Sequence, residues 1–189
     1  MNLLELITSN QSKYNTDKLD LGYIHNFYND LFTPHKNTTR FVLEIGIHQG
    51  ASILLWRDFF NNAEIYGIDT QHCGRLDNQE RIIQILNNAY DKKLVETLTT
   101  VPFDIIIDDG PHTLETMEFF VDHYLALLRP GGIAVIEDII DVSWTDKLVQ
   151  RIGQGYNVSK YAMKDLQRTD WHRNKWRNGL DVIVVQKQQ

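Results

Sequence analysis

Between residues 41 and 136 the chain switches repeatedly between two hydrophobic periods, and that switching restricts its possible folds more than any other feature. Short apolar runs predict strands over Phe41–Ile45, Glu64–Ile68, Arg81–Ile85, Asp104–Ile107 and Ile133–Ile136. Stretches with helical spacing lie between and after them, predicting helices over Ser52–Phe60, Lys92–Leu98, Leu114–Leu128 and Trp144–Ile152. In the third of these, Leu114, Met117, Phe120, Val121, Tyr124, Leu125 and Leu128 form one apolar stripe. Ser143-Trp144-Thr145-Asp146 reads as a capping box opening the fourth. Strands alternating with helices imply βαβ units, right-handed crossovers and a parallel sheet covered on both faces. The tail differs: Tyr156–Met163 and Asp181–Gln186 read as two strands closing the sheet as an antiparallel pair.

Ahead of this pattern, residues 2–8 and 22–32 predict short helices around the polar segment Ser12–Lys18, and Pro34 opens a loop. Residues 1–39 therefore read as a helical cap over a core at 40–189, one domain within 189 residues. A net charge of −6 argues against a nucleic-acid backbone or an anionic membrane as the main partner. Cys73 is the single cysteine, which excludes an internal disulfide and fits a reducing, cytoplasmic setting. The N-terminus lacks a signal-peptide pattern, and no apolar run approaches the roughly 20 residues of a membrane helix.

The chemistry concentrates where two of the predicted strands end. Phe103–Ile107 runs into Asp108-Asp109-Gly110-Pro111-His112, and Ile133–Ile136 runs into Glu137-Asp138. Neighbouring parallel strands would bring these acids to one sheet edge, where open α/β folds bind ligands. Acids at strand ends are commonly just solvated loop residues. Two acidic pairs side by side, however, repel unless a cation compensates, and hard oxygen donors suit Mg²⁺. An imidazole among them suggests a general base.

The first strand leads into Leu43-Glu44-Ile45-Gly46-Ile47-His48-Gln49-Gly50-Ala51-Ser52. His48 stands where a dinucleotide fingerprint needs glycine, which disfavours a pyrophosphate cradle. The spacing Glu44-x-Gly46-x-x-x-Gly50 instead resembles motif I of class I S-adenosylmethionine-dependent methyltransferases. Asp69 ends the next strand, where a carboxylate can accept ribose hydroxyls or merely cap a turn. Asn88-Ala89 follows the third strand, at the slot where this class commonly contacts adenine.

Three blocks sharpen the resemblance: Asp108–His112, Leu128-Arg129-Pro130-Gly131-Gly132 and Val135–Asp138. Together with Lys13-Tyr14-Asn15-Thr16-Asp17-Lys18, Gly22-Tyr23, Phe27-Tyr28 and Leu31-Phe32, they resemble metal-dependent sugar O-methyltransferases of the mycinamicin and macrocin type. The resemblance covers about residues 12–140. It implies a Rossmann-like, mainly parallel seven-stranded sheet with helices on both faces and an antiparallel C-terminal strand. It also implies S-adenosylmethionine at Glu44, Gly46, Gly50, Ser52, Asp69, Asn88 and Asp108. Mg²⁺ would be held by Asp109, Glu137 and Asp138, with His112 as general base and Asp109 beside it in catalysis. The acceptor would be a hydroxyl of a sugar, glycan or glycosylated natural product, with self-association left open. The family commonly has Ser at Pro111, His at Leu21 and Gly at Asn15.

Other readings share these residues. The Asp109–His112 spacing also resembles catechol O-methyltransferases, and a non-catalytic nucleoside-binding module would use the glycine turn without a base. A metal-dependent hydrolase would leave that turn and Asp69 idle. Arg168–Arg177 mixes aromatic and basic residues that suit stacking on a sugar, or a solvated connection. The spacing of His48, His72 and Cys73 matches no zinc pattern.

Overall fold

Seven strands form one sheet in the order β3-β2-β1-β4-β5-β7-β6 in the computed structural model, which describes residues 1–163 and 180–189. They are β1 (Phe41–Ile45), β2 (Glu64–Asp69), β3 (Ile82–Leu86), β4 (Phe103–Asp108), β5 (Leu128–Ile139), β6 (Tyr156–Ala162) and β7 (Asp181–Lys187). The first five are mutually parallel, while β7 runs antiparallel to both β5 and β6. The sheet order reverses between β1 and β4, which opens a crevice at the C-terminal ends of those strands. The Arg168–Arg177 segment lies outside the described residues.

The expected helices are present with shifted ends. They are α4 (Ala51–Phe59), α5 (Lys92–Thr97), α6 (Leu114–His123) and α7 (Val142–Ile152). The stripe predicted to run to Leu128 breaks after His123, because Leu125–Leu127 tightens into a 3₁₀ turn and Leu128 already starts β5. The expected capping box at Ser143 is also corrected. Asp141 is the N-cap, its carboxylate accepting from the Ser143 amide at 2.8 Å. Among the described residues no helix is long and apolar enough to cross a membrane.

Strand alternation divides the interior into two layers. One layer packs Leu43, Ile45, Ile106, Ala134 and Ile136 against α6 residues Met117, Phe120 and Val121. The other packs Val42, Ile105, Ile107, Ile133 and Val135 against α4 and the N-terminal segment. That segment comprises α1 (Leu3–Ser9), α2 (Asp17–Asp20), a π-helical turn at Ile24–Tyr28, and α3 (Asn29–Phe32). Its aromatic residues interlock with α4: Tyr28 and Phe32 lie 5.3 and 5.5 Å from the Trp56 ring. The segment is part of the core on that face, since Leu3, Ile7, Tyr23, Tyr28 and Phe32 are fully buried.

Gly46 ends β1 at a positive φ of 92°, and a Cβ there would overlap the Asp109 carbonyl oxygen. The two catalytic-edge loops thus touch backbone to backbone. Gly46→Ala should lower unfolding free energy by about 2–4 kcal/mol in urea denaturation, combining left-handed strain with the overlap. A loss below about 0.5 kcal/mol, the range of neutral surface substitutions, would show that the loops can separate freely.

Candidate active site

Register decides which acids meet. Asp108 pairs with Ile45 on one side and Ile136 on the other, and Ile107 lies opposite both Glu44 and Val135. Moving two residues on from Ile107 and Val135 brings Asp109 beside Glu137, on the same face as Glu44. This is the face covered by the N-terminal segment. Asp108 points to the opposite face, where its Oδ1 accepts from the Tyr90 hydroxyl at 2.9 Å.

Lys18 of α2 enters the acidic face from above. Its side chain is 1% exposed, and its Nζ lies 2.7 Å from Asp109 Oδ2, 2.6 Å from Glu137 Oε2 and 3.4 Å from Glu44 Oε1. Burial alone would favour loss of its proton, yet Asp109, Glu137 and Glu44 hold its pKa well above the usual lysine value. The same burial raises the carboxyl groups. Glu44 is pushed up to about 7 against the pull of Lys18, and Glu137 rises well above the usual carboxylate range. Trp56 Nε1 donates to Glu44 Oε2 at 2.8 Å, and the Tyr28 hydroxyl donates to Glu137 Oε1.

Asp138 breaks the strand alternation. Its φ of +54° turns the side chain back, and the Tyr23 hydroxyl donates to its Oδ1. Burial raises its pKa as well, partly offset by the nearby His112. His112 is also left-handed, at φ +56°, and its Nε2 lies 3.7 Å from both Asp109 Oδ1 and Asp138 Oδ2. With His48, at φ +46° on the same cavity as His112, three non-glycine residues in this strained region indicate geometry imposed by the surrounding fold. Asp109, His112 and Asp138 offer ligand atoms within 4.8 Å of one another.

Two cavities adjoin these residues and share Gly46 and Gly110. The larger, about 570 Å³, is lined by Asp17, His48, Ser52, Asp109 and His112 among others. The smaller, about 300 Å³, is lined by Ile68, Asp69, Asn88, Ala89, Tyr90 and Pro111. Asp69 caps the glycine turn: its Oδ2 accepts from the Ile47 and His48 amides at 2.9 and 3.1 Å, and its Oδ1 from Gln71 at 3.0 Å. Burial pushes its carboxyl up, but these amides outweigh it and hold the pKa below the usual value.

Of the residues expected at a cofactor, Gly46, Ser52, Asp69 and Asn88 line these cavities. Glu44, Gly50 and Asp108 do not, and each has another task. Glu44 is fully buried against Trp56 and Lys18. Gly50 is the left-handed N-cap of α4, packed on Leu76 and Cys73. Asp108 anchors Tyr90 on the far face. Of the expected metal ligands, Asp109 and Asp138 converge with His112, whereas Glu137 turns to Lys18 and Tyr28. Sequence reasoning passed over Lys18 and Tyr90, while Trp56, expected in the core or at a pocket wall, is fully buried in the core. The only signal for Lys18 was its place in a polar block that motif comparison singled out.

The sheet order, the antiparallel last strand and the cavities over the β1/β4 switch point define a Rossmann-like class I methyltransferase fold. Residues 43–139 match the family model described as a methyltransferase domain, and the chain belongs to that family. It is 34% identical over 145 residues to demethylmacrocin O-methyltransferase of Streptomyces fradiae, covering 70% of this chain and 36% of the relative. Against mycinamicin VI 2''-O-methyltransferase of Micromonospora griseorubida the identity is 33% over 145 residues, again 70% and 36% of the two chains. The structure of the MycE methyltransferase of mycinamycin biosynthesis, in complex with Mg, SAH and mycinamycin VI, superposes with a TM-score of 0.70. That match has 26% identity over the whole of this chain and 55% of the other. The chain thus spans little more than a third of the length of these curated relatives.

Asp69→Ala removes an acceptor from three backbone amides, and should lower unfolding free energy by about 1–3 kcal/mol. Chemical denaturation of the ligand-free protein measures it. Unaltered stability would show that the glycines alone set the turn.

Proposed function

We propose that this chain is an S-adenosylmethionine- and Mg²⁺-dependent O-methyltransferase acting on a sugar hydroxyl, within a glycan or a glycosylated natural product. The observation that carries this reading is the convergence of Asp109, His112 and Asp138, the first two at the wall of a cavity that also reaches the Gly46 turn. The names of the curated relatives, all of them sugar or macrolide O-methyltransferases, support the acceptor class.

The donor set fits a divalent cation. Three carboxylates (Glu44, Asp109 and Glu137) gather around the ammonium of Lys18, Asp138 adds a fourth near Asp109, and the outward oxygens of Asp109 and Asp138 face His112. Such an excess of buried negative charge needs either protons or a further cation, and hard oxygens favour Mg²⁺. In this reading Asp109, Glu137 and Asp138 hold the ion and Gly46, Ser52, Asp69 and Asn88 surround the methyl donor. When bound, the donor supplies an electrophilic methyl group and the ion a Lewis acid that acidifies the acceptor hydroxyl.

The chain's own residues do the remaining work. His112 takes the proton from the acceptor hydroxyl, lining the same cavity as Asp109. Asn15, Thr16, Asp17 and Asp20 wall the opposite side and limit water there. Asp69 and the Gly46 turn would hold the nucleoside end in the smaller cavity, which adjoins the larger one at Gly46 and Gly110. We read residues 1–39 as a cap on the core at 40–189, working in the cytoplasm on a small-molecule or glycan substrate rather than on nucleic acid. A non-catalytic binding module would have no use for His112 among the acids.

Transfer of labelled methyl from S-adenosylmethionine to a panel of nucleotide sugars and glycans, with and without EDTA, tests the reading. Activity should vanish in EDTA and return with Mg²⁺; transfer that persists in EDTA would remove the metal from it. His112→Ala should lower turnover about 10²–10⁴-fold while S-adenosylhomocysteine affinity in calorimetry stays near wild type. Turnover equal to wild type would take His112 out of the base role.

A further inference from the structure

Two tyrosines on the π-helical turn donate to consecutive carboxylates at the end of β5. Tyr23 precedes the turn and donates to Asp138 Oδ1; Tyr28 ends it and donates to Glu137 Oε1. They are five residues apart. In an α-helix, at about 3.6 residues per turn, five residues is about 1.4 turns, which sends the two side chains to widely different directions. In a π turn the hydrogen bond closes over five residues, here from the Asn29 amide to the Ile24 carbonyl. Residues at that spacing then stack on one face, which is what two neighbouring strand-end carboxylates require.

We propose that Tyr23 and Tyr28 are positioning residues of the cation site, and that the π turn exists to aim both hydroxyls at Asp138 and Glu137. The inference rests on the metal-dependent reading above. Tyr23 engages one oxygen of Asp138 and leaves Oδ2 facing His112, whereas at Glu137 Tyr28 engages Oε1 and Lys18 engages Oε2. At Asp109, Lys18 engages Oδ2 while Oδ1 faces His112. Every one of these outer donors comes from the stretch 18–28, and every acceptor from the ends of β4 and β5. Both tyrosines are fully buried. Cation binding and docking of this stretch are consequently linked, and the linkage is reciprocal. Outer partners of this kind orient ligand carboxylates and raise ion affinity by about 10–100-fold.

The test is a Mn²⁺ titration followed by electron paramagnetic resonance on wild type, Tyr23→Phe and Tyr28→Phe, with unfolding midpoints measured in EDTA. The expected result is about tenfold weaker Mn²⁺ binding in each variant, together with a modest fall of the midpoint in EDTA from the donor lost to a buried carboxylate. Wild-type Mn²⁺ affinity in both variants would overturn the proposal while leaving the metal reading intact. Absence of Mn²⁺ binding in wild type would sink the metal reading, and this inference with it. Hydrogen exchange of the wild-type protein gives a second measurement that needs no variant. Mg²⁺ should slow exchange of amides in residues 18–32, and unchanged protection there would also overturn the linkage.

Discussion

A buried ammonium surrounded by carboxylates is the interaction on which the arrangement of this molecule turns. Parallel strands in register put Glu44, Asp109 and Glu137 on one face of the sheet. Without a cation there, mutual repulsion and lost hydration would oppose closing the face over them. Lys18 meets that need from a segment 91 residues before Asp109 and 119 before Glu137 in sequence. Its contribution is best seen as compensation: removing one partner of such a buried set typically costs about 3–5 kcal/mol, mostly from charge left stranded. The segment bearing Lys18 therefore completes the sheet electrostatically as well as covering it with aromatic side chains.

That dependence explains why the N-terminal stretch reads poorly as sequence. Period switching from residue 41 onward marks every strand of the sheet to within a few residues, and the acid-rich ends of β4 and β5 fall where adjacency in a parallel sheet places them. Alternation even separates Asp108 from Asp109, one to each face. Lys18 sits in a polar block, and nothing in its neighbours' spacing marks it as buried. Burial of a lysine depends on acids supplied by β1, β4 and β5, and such long-range pairing leaves no local periodicity. The π turn is hidden for a similar reason. Tyr23, Phe27 and Leu31 satisfy helical spacing, while Tyr23 and Tyr28 become neighbours only once the turn widens.

The residues around the glycine turn show the opposite limit. Motif spacing located Gly46, Gly50 and Asp69 correctly in the chain, yet spacing does not separate contact with a ligand from support of the loop. Gly50 supports α4 by its left-handed backbone, and Glu44 lies behind the turn against Trp56. Asp69 lines the smaller cavity while holding three amides. A carboxylate has lone pairs beyond those three bonds, so capping the turn does not exclude the proposed role at the donor.

Strain is concentrated where the chemistry is proposed. His112 and Asp138 adopt left-handed backbone conformations, His112 two residues past Gly110 and Asp138 next to the last residue of β5. Conformations of this kind persist only when surrounding contacts over-determine them. For Asp138 the contacts are the Tyr23 hydroxyl and the approach of His112. The loop that leads to His112 is itself held closely, Gly46 against the Asp109 backbone and Gly110 against the Tyr90 hydroxyl, where no side chain fits. The backbone thus spends stability to turn an imidazole and a carboxylate toward each other across two strand ends. Helix propensity or core packing would gain nothing from that geometry; a site that must bring a base, an acid and a bound hydroxyl together gains all of it.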